Sequence, residues 1–279
     1  MTAAITPKQV VVTGAFDDPR SLQIRFLEEA ARLGEVTALL WADDLVCQFE
    51  GKPPKFPQAE RAYFLQAIRF VRHVQVVTRQ LDGSALPEIT GLKPEVWAVR
   101  ESESNPARRS YCAALGLHLR VLPDELLRGF PGHSPEPPAT APGRKKVVVT
   151  GCYDWLHSGH VRFFEEVSHY GDLYVIVGHD ANLRLLKGAS HPLFPQEERR
   201  YLVDSIRYVT QALITSGHGW LDADPEIRRL KPDIYAVNED GDKGGKREYC
   251  ARLGIGYLVL QRTPAPGLPP RTGTDLRGF

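Results

Sequence analysis

Cysteine is sparse in this 279-residue chain, and the four that occur, Cys47, Cys112, Cys152 and Cys250, are widely scattered. None stands in a Cys-x-x-Cys spacing, so neither a disulfide framework nor a zinc knuckle is indicated, and a reducing cytoplasm is the expected setting. No apolar run approaches the length of a membrane span. The first residues lack the basic-then-apolar layout of a signal peptide. The formal net charge of +1 carries no bias of one sign, which argues against nucleic acid, a membrane surface or a strongly acidic partner. Gly-x-x-x-x-Gly-Lys-[Ser/Thr] and Gly-x-Gly-x-x-Gly are both missing, so any phosphate must be held by other means.

What the chain does have is concentrated in Val147–Arg162, which reads Val-Val-Val-Thr-Gly-Cys-Tyr-Asp-Trp-Leu-His-Ser-Gly-His-Val-Arg. A run of β-branched residues reads as a buried strand that Gly151 ends. From Val161 the apolar residues Val161, Phe163, Phe164 and Val167 fall on one helical face, with Arg162, Glu165 and Glu166 between them. His157 and His160 therefore stand where a strand hands over to a helix. The first N–H groups of a helix lack internal partners, and the helix dipole is positive there. Gly159, without a Cβ, lets a phosphate approach the backbone. Two imidazoles, bare N–H groups and a glycine suit a triphosphate better than a neutral ligand; a pair of ordinary polar histidines at a helix start is the alternative. A metal site built on Cys152, His157 and His160 has no obvious fourth ligand.

The sequence is written twice. Val10–Gly14 matches Val147–Gly151, Arg25–Glu29 matches Arg162–Glu166, and Gly34 matches Gly171. Gln58–Arg61 matches Gln196–Arg199, Ile68–Val71 matches Ile206–Val209, and Tyr111–Ala113 matches Tyr249–Ala251. In the second copy strands are predicted near 146–150, 173–178, 211–215, 233–237 and 257–260, and helices over about 160–169, 180–187, 196–206, 224–230 and 246–253. Alternating β and α elements predict an α/β fold of two tandem Rossmann-like units, each a doubly wound parallel sheet. The expected domains are 1–128 and 146–279, joined by a proline-rich linker over 129–145. Opposite His157-Ser158-Gly159-His160 the first copy has Arg20-Ser21-Leu22-Gln23, and opposite Asn238–Gly241 it has Arg100–Glu103. The core pattern persists while the polar site is gone, so the first unit reads as degenerate: a packing partner, or a unit that binds a regulatory ligand.

Gly-Cys-Tyr-Asp-Trp-Leu-His-Ser-Gly-His resembles the signature of the cytidylyltransferase-like nucleotidyltransferases, and the resemblance extends over most of Lys146–Arg277. The duplicated layout is similar to that of the phosphoethanolamine cytidylyltransferases. The resemblance implies that His157 and His160 contact the phosphates around the bond being broken, with Lys187 as a phosphate-binding lysine. It places Gly151, Cys152, Tyr153, Asp154 and Gly159 beside the nucleotide. Asp154 positions metal or acceptor, or is a turn residue or helix cap. The loop Asn238–Lys246 resembles the position of a Gly-Asp-Asp-Trp motif, which puts Asn238 and Glu239 at the nucleotide, but two of its positions differ. Arg271-Thr272-Gly273-Thr274 looks like a shortened Arg-Thr-x-Gly-x-Ser-Thr, implying a bidentate phosphate contact from Arg271 and hydroxyls from Thr272 and Thr274. Asp180, Trp220 and Lys243 are candidates for the acceptor. The helix carrying Arg199 reads as mainly structural, because the first copy keeps Arg61. The family often pairs through its first motif, which implies that the two copies form an internal pseudo-dimer.

The expected reaction is transfer of CMP from CTP to a phosphorylated small alcohol or sugar, with pyrophosphate released and Mg²⁺ neutralising the triphosphate. Alternatives are an adenylyltransferase of the same fold using ATP, or a nucleotide sensor that binds without turnover. An aminoacyl-tRNA-synthetase relative is disfavoured by the absence of a Lys-Met-Ser-Lys-Ser-like motif.

Overall fold

A computed structural model of the chain describes residues 7–79, 82–132, 138, 142–273 and 276. The chain divides into two compact units, Met1–Gly129 and Phe130–Phe279. Of the stretch expected as a linker, residues 133–137 and 139–141 lie outside the described residues.

In the first unit the strands are β1 (Gln9–Gly14), β2 (Glu35–Trp41), β3 (His73–Val77), β4 (Val96–Arg100) and β5 (His118–Leu122). The helices are α1 (Ser21–Ala31), α2 (Asp43–Glu50), α3 (Gln58–Ala67) and α4 (Pro106–Leu115). In the second unit the strands are β6 (Lys146–Gly151), β7 (Asp172–Val177), β8 (Val209–Ile214), β9 (Ile234–Asn238) and β10 (Gly256–Leu260). Its helices are α5 (Ser158–Ser168), α6 (Asp180–Lys187), α7 (Gln196–Asp204), α8 (Asp224–Leu230) and α9 (Lys246–Leu253). Each predicted element of the second copy is present, with ends displaced by at most two residues.

Both sheets are five-stranded and wholly parallel, in the orders β3-β2-β1-β4-β5 and β10-β9-β6-β7-β8. A parallel strand covered on both faces needs apolar residues throughout, and Val147, Val148 and Val149 are fully buried. Burying each valine stabilises the fold by about 1.5–3 kcal/mol before entropy is counted.

The sheet opens where the site lies. β6 pairs with β7 along its whole length, from Lys146 opposite Asp172 to Gly151 opposite Val177. With β9 it pairs only at Val147 and Val148, opposite Ile234 and Tyr235. Past that point β6 and β9 separate, and the direction of winding reverses between them. A crevice at the carboxyl ends of these strands is the expected consequence.

Candidate functional site

A cleft of about 400 Å³ occupies that crevice. The end of β6, the turn after it and the start of α5 form one wall, and the end of β9 with the turn 239–241 forms the other. Lys187 at the end of α6, the loop through His191 and Leu193, Lys246 and Arg262 complete the lining.

The turn is built by local chemistry. Tyr153 takes a left-handed conformation, φ 50°, and packs its ring against Gly151 and the edge of His160, with ring centroids 5.2 Å apart. His157 is the N-cap of α5. Its Nδ1 accepts the backbone N–H of Gly159 at 3.1 Å. A Cβ on residue 159 would stand 3.0–3.1 Å from the His157 ring, a tight contact that the ring would have to relieve by shifting a few tenths of an ångström. The accepting Nδ1 puts the proton on Nε2, and Nε2 is buried without a partner among the described residues. The His160 ring lies 3.9 Å from that of His157, and its Nδ1 is likewise buried and unpartnered among the described residues.

Burial holds both imidazoles neutral. The pKa of His160 is lowered to about 3, first by desolvation and then by Arg262, with Asp240 opposing and Lys187 adding to the drop. That of His157 is pushed further down by desolvation, His160, Arg262 and Arg271. The pair thus offers hydrogen bonds to an anion without the cost of holding two buried charges.

Arg199 fixes the turn from below. The side chain is fully buried and donates to the carbonyls of Phe194 (2.9 Å), Cys152 (2.6 Å) and Gly178 (2.8 Å), and to the Asp180 carboxylate (2.7 Å). Arg61 of the first unit makes the same set with Phe56, Ala15, Trp41 and Asp43. Asp154 accepts the N–H groups of Leu193 (2.7 Å) and Phe194 (3.1 Å), as Asp17 does those of Lys55 (2.5 Å) and Phe56 (2.9 Å). Glu239 accepts the Arg262 backbone N–H at 3.3 Å, and Glu101 that of Asp124 at 3.2 Å. Since the copy that lacks the histidine pair keeps all three arrangements, they are architectural.

The same overlay shows what the first unit lost. The helices α2 and α6 are each eight residues long, begin at Asp43 and Asp180, and end before Gly51 and Gly188. Lys187 therefore corresponds to Glu50, a comparison the sequence alone was too diverged to permit. Arg262 corresponds to Asp124. Two cations that line the cleft are acids in the first copy.

Of the residues singled out from sequence, Gly151, Cys152, Tyr153, Asp154, Gly159, His160, Lys187, Asn238 and Thr272 line the cleft. His157 stands directly behind His160. Arg271 lines an adjoining pocket of about 230 Å³, while the arginine reaching the main cleft is Arg262, whose guanidinium donates to the Arg271 carbonyl at 2.8 Å and pairs with Asp240. Thr274 lies outside the described residues. The three acceptor candidates stand apart from the cleft lining. Asp180 is engaged by Arg199. Trp220 donates Nε1–H to the Gly244 carbonyl at 2.8 Å. Lys243 is exposed, and the lysine that lines the cleft is Lys246, because α9 begins only after Gly244 and Gly245, both at positive φ. Arg262 and His191 belong to no contiguous motif, and Asp240 and Lys246, though within the loop Asn238–Lys246, are not distinguished there by the sequence from Glu239 and Lys243.

Residues 148–249 match the model of the cytidylyltransferase-like family. The chain is 38% identical over 120 residues to an FAD synthase of Ferroglobus placidus, covering 42% of this chain and 75% of that protein. It is 41% identical over 99 residues to the FAD synthase of Pyrococcus horikoshii, covering 35% and 64%. With the bifunctional protein HldE of Aliarcobacter butzleri it shares 33% over 105 residues, 37% of this chain and 21% of that one. A solved lipopolysaccharide core biosynthesis protein of Thermoplasma volcanium has 26% identity and a TM-score of 0.38, covering 44% of this chain and 99% of its own.

Proposed function

The chain belongs to the cytidylyltransferase-like family of nucleotidyltransferases, and from that premise we propose that its second unit moves a nucleoside monophosphate from a nucleoside triphosphate onto a phosphorylated small molecule. The acceptor phosphate attacks the α-phosphorus and pyrophosphate leaves. The observation that carries this reading is the pair His157, buried, and His160, half-buried: both neutral, with the buried ring nitrogens Nε2 and Nδ1 lacking partners among the described residues, and set at the start of an eleven-residue helix.

Each group has a task in that reaction. The His157 Nε2–H and the His160 ring donate to the oxygens of the α-phosphate, where charge grows as the nucleophile arrives. Lys187 and Arg262 neutralise the departing pyrophosphate, and Lys246 stands beside them on the cleft wall. Cys152, Tyr153 and Gly159 shape the backbone against which the triphosphate lies, Asn238 faces it from β9, and Thr272 closes the end. The described residues hold no group of His, Cys, Asp or Glu suited to caging a cation. Mg²⁺ would therefore be held mainly by the triphosphate and water, which suits its octahedral demand, and would help neutralise the phosphate charge.

The sequence reading makes CTP the donor and a phosphorylated small alcohol or sugar the acceptor. A second reading, adenylyl transfer from ATP, is favoured by the relatives named FAD synthase, whose product contains adenine. A thermal-shift panel of CTP, ATP, GTP and UTP with Mg²⁺ separates the two. Ligand at ~100 times Kd stabilises the native state by about 2.7 kcal/mol. A shift selective for CTP supports cytidylyl transfer and one selective for ATP supports adenylyl transfer. No shift with any nucleotide contradicts both.

A further inference from the structure

The two units differ at one more place, on the side of the cleft bounded by Lys187. In the first unit Asp18 and Lys55 form an ion pair, with 3.3 Å between Oδ2 and Nζ. The equivalence of the clamps made by Asp17 and Asp154 fixes the counterparts: Asp18 corresponds to Trp155, and Lys55 to Leu193. An ion pair in the unit that lacks the histidine pair is thus an apolar pair in the unit that has it. Both Trp155 and Leu193 line the cleft. Leu193 remains 48% exposed, and the Trp155 indole is steadied by an edge-on contact with Phe194, ring centroids 6.0 Å apart.

A single exposed leucine requires no explanation. A leucine and a tryptophan facing a polar cleft, where the same fold accommodates a charged pair, form a small apolar platform beside cationic groups. His191 lines the cleft next to them, its Nδ1 3.8 Å from Asp154 Oδ2, and its first-unit counterpart is Pro53. The position therefore follows His157, His160, Lys187 and Arg262, all of which the first unit replaced.

Resting on the nucleotidyl-transfer reading above, we infer that this region is the acceptor subsite and that it takes a phosphomonoester carried on a planar, apolar or aromatic body. The ring packs on Trp155 and Leu193. The phosphate reaches toward His160, between Lys187 and His191. A sugar phosphate, whose rim of hydroxyls needs hydrogen-bond partners that an indole and an isobutyl group lack, gains less from this platform than a flat apolar ring does.

The test compares FMN and 1-naphthyl phosphate with glycerol 3-phosphate and glucose 1-phosphate, by calorimetric titration of the whole chain in the presence of a non-hydrolysable triphosphate and Mg²⁺. At least one aromatic phosphate is expected to bind about tenfold or more tightly than either sugar-type phosphate, a difference of about one decade in Kd. Trp155→Asp with Leu193→Lys installs the first unit's own ion pair and is expected to abolish that preference while triphosphate binding persists. Leu193→Lys alone, at a half-exposed position, is expected to weaken aromatic binding severalfold without loss of folding. Equal or weaker binding of both aromatic phosphates, or an undiminished preference in the double variant, would overturn the inference. Loss of triphosphate binding by the unaltered chain would instead strike the nucleotidyl-transfer reading, so the two failures are distinguishable.

Discussion

The Nδ1 of His157 accepts the backbone N–H of Gly159 at 3.1 Å, and that one bond sets both the tautomer and the aim of the imidazole. It spends the ring's acceptor on the helix terminus and leaves the Nε2–H for a ligand. It also favours a residue without a side chain two positions on, because a Cβ there would press on the ring. The spacing His-x-Gly-His thus suits the cap as well as bringing two histidines together.

Replacing Gly159 with Ala tests this coupling. Displacing the cap is expected to lower stability by about 1 kcal/mol, as loss of an N-cap does. Turnover should fall much further, by about 10²-fold or more, as for loss of a preorganised oxyanion donor. Equilibrium denaturation and steady-state kinetics on the same preparation give both numbers.

Lys187 and Arg262 are acids in the first unit, so the molecule itself supplies the substitutions to make. Lys187→Glu and Arg262→Asp should each raise the Kd for Mg²⁺–triphosphate by about tenfold or more, the worth of a charge-assisted hydrogen bond. Lys243→Glu, at an exposed position off the cleft, should change it less than twofold. Calorimetric titration of the three variants checks the ordering.

Two neutral histidines, His157 buried and His160 half-buried, make stability depend on acidity with a definite sign. Their folded pKa values are lowered, that of His160 to about 3, below the usual value of 6.5. Between those limits the unfolded chain binds more protons than the folded one, so stability falls as the pH drops from 6.5 toward 3. Each such histidine contributes a slope of about 1.4 kcal/mol per pH unit well inside that window. His160→Gln, the residue found in the first unit, should remove one histidine's share. Urea unfolding across pH 4 to 7 measures the difference.

Arg199 has no contact with solvent, and its bonds hold the turn, the end of β7 and the start of α6 together. Lysine cannot fork to those partners. Arg199→Lys should destabilise the second unit by about 3–5 kcal/mol, as breaking a buried charged pair does. Arg61→Lys should do the same to the first unit. Hydrogen exchange resolved along the chain assigns each loss to its own unit.

The sequence made the scaffold legible because each level of it agreed. Val147–Val149 could only be a strand buried on both faces, the α5 residues had one apolar stripe, and the copy at Val10–Gly14 repeated both. The survival of Arg61 in the first copy marks Arg199 as structural, and its bonds to three backbone carbonyls agree. The cleft's far wall was not legible. Arg262 and His191 are each alone in their stretch of sequence, Lys246 ends a polar loop, and only the splay between β6 and β9 brings them opposite His160. Lys243 and Lys246 differ by where a helix starts, which the positive φ angles of Gly244 and Gly245 decide. Asp180 and Trp220 had the right chemistry for a ligand, yet Arg199 and the Gly244 carbonyl occupy them.

The measurement that tests the nucleotidyl-transfer reading most directly is pyrophosphate release from Mg²⁺–triphosphate, followed across a panel of phosphorylated acceptors, in the unaltered chain and in His160→Gln. Acceptor-dependent pyrophosphate release by the unaltered chain, falling by about 10²-fold or more in a folded His160→Gln protein, is the predicted result. Undiminished release in that variant, or none from the unaltered chain with a triphosphate bound, would contradict it.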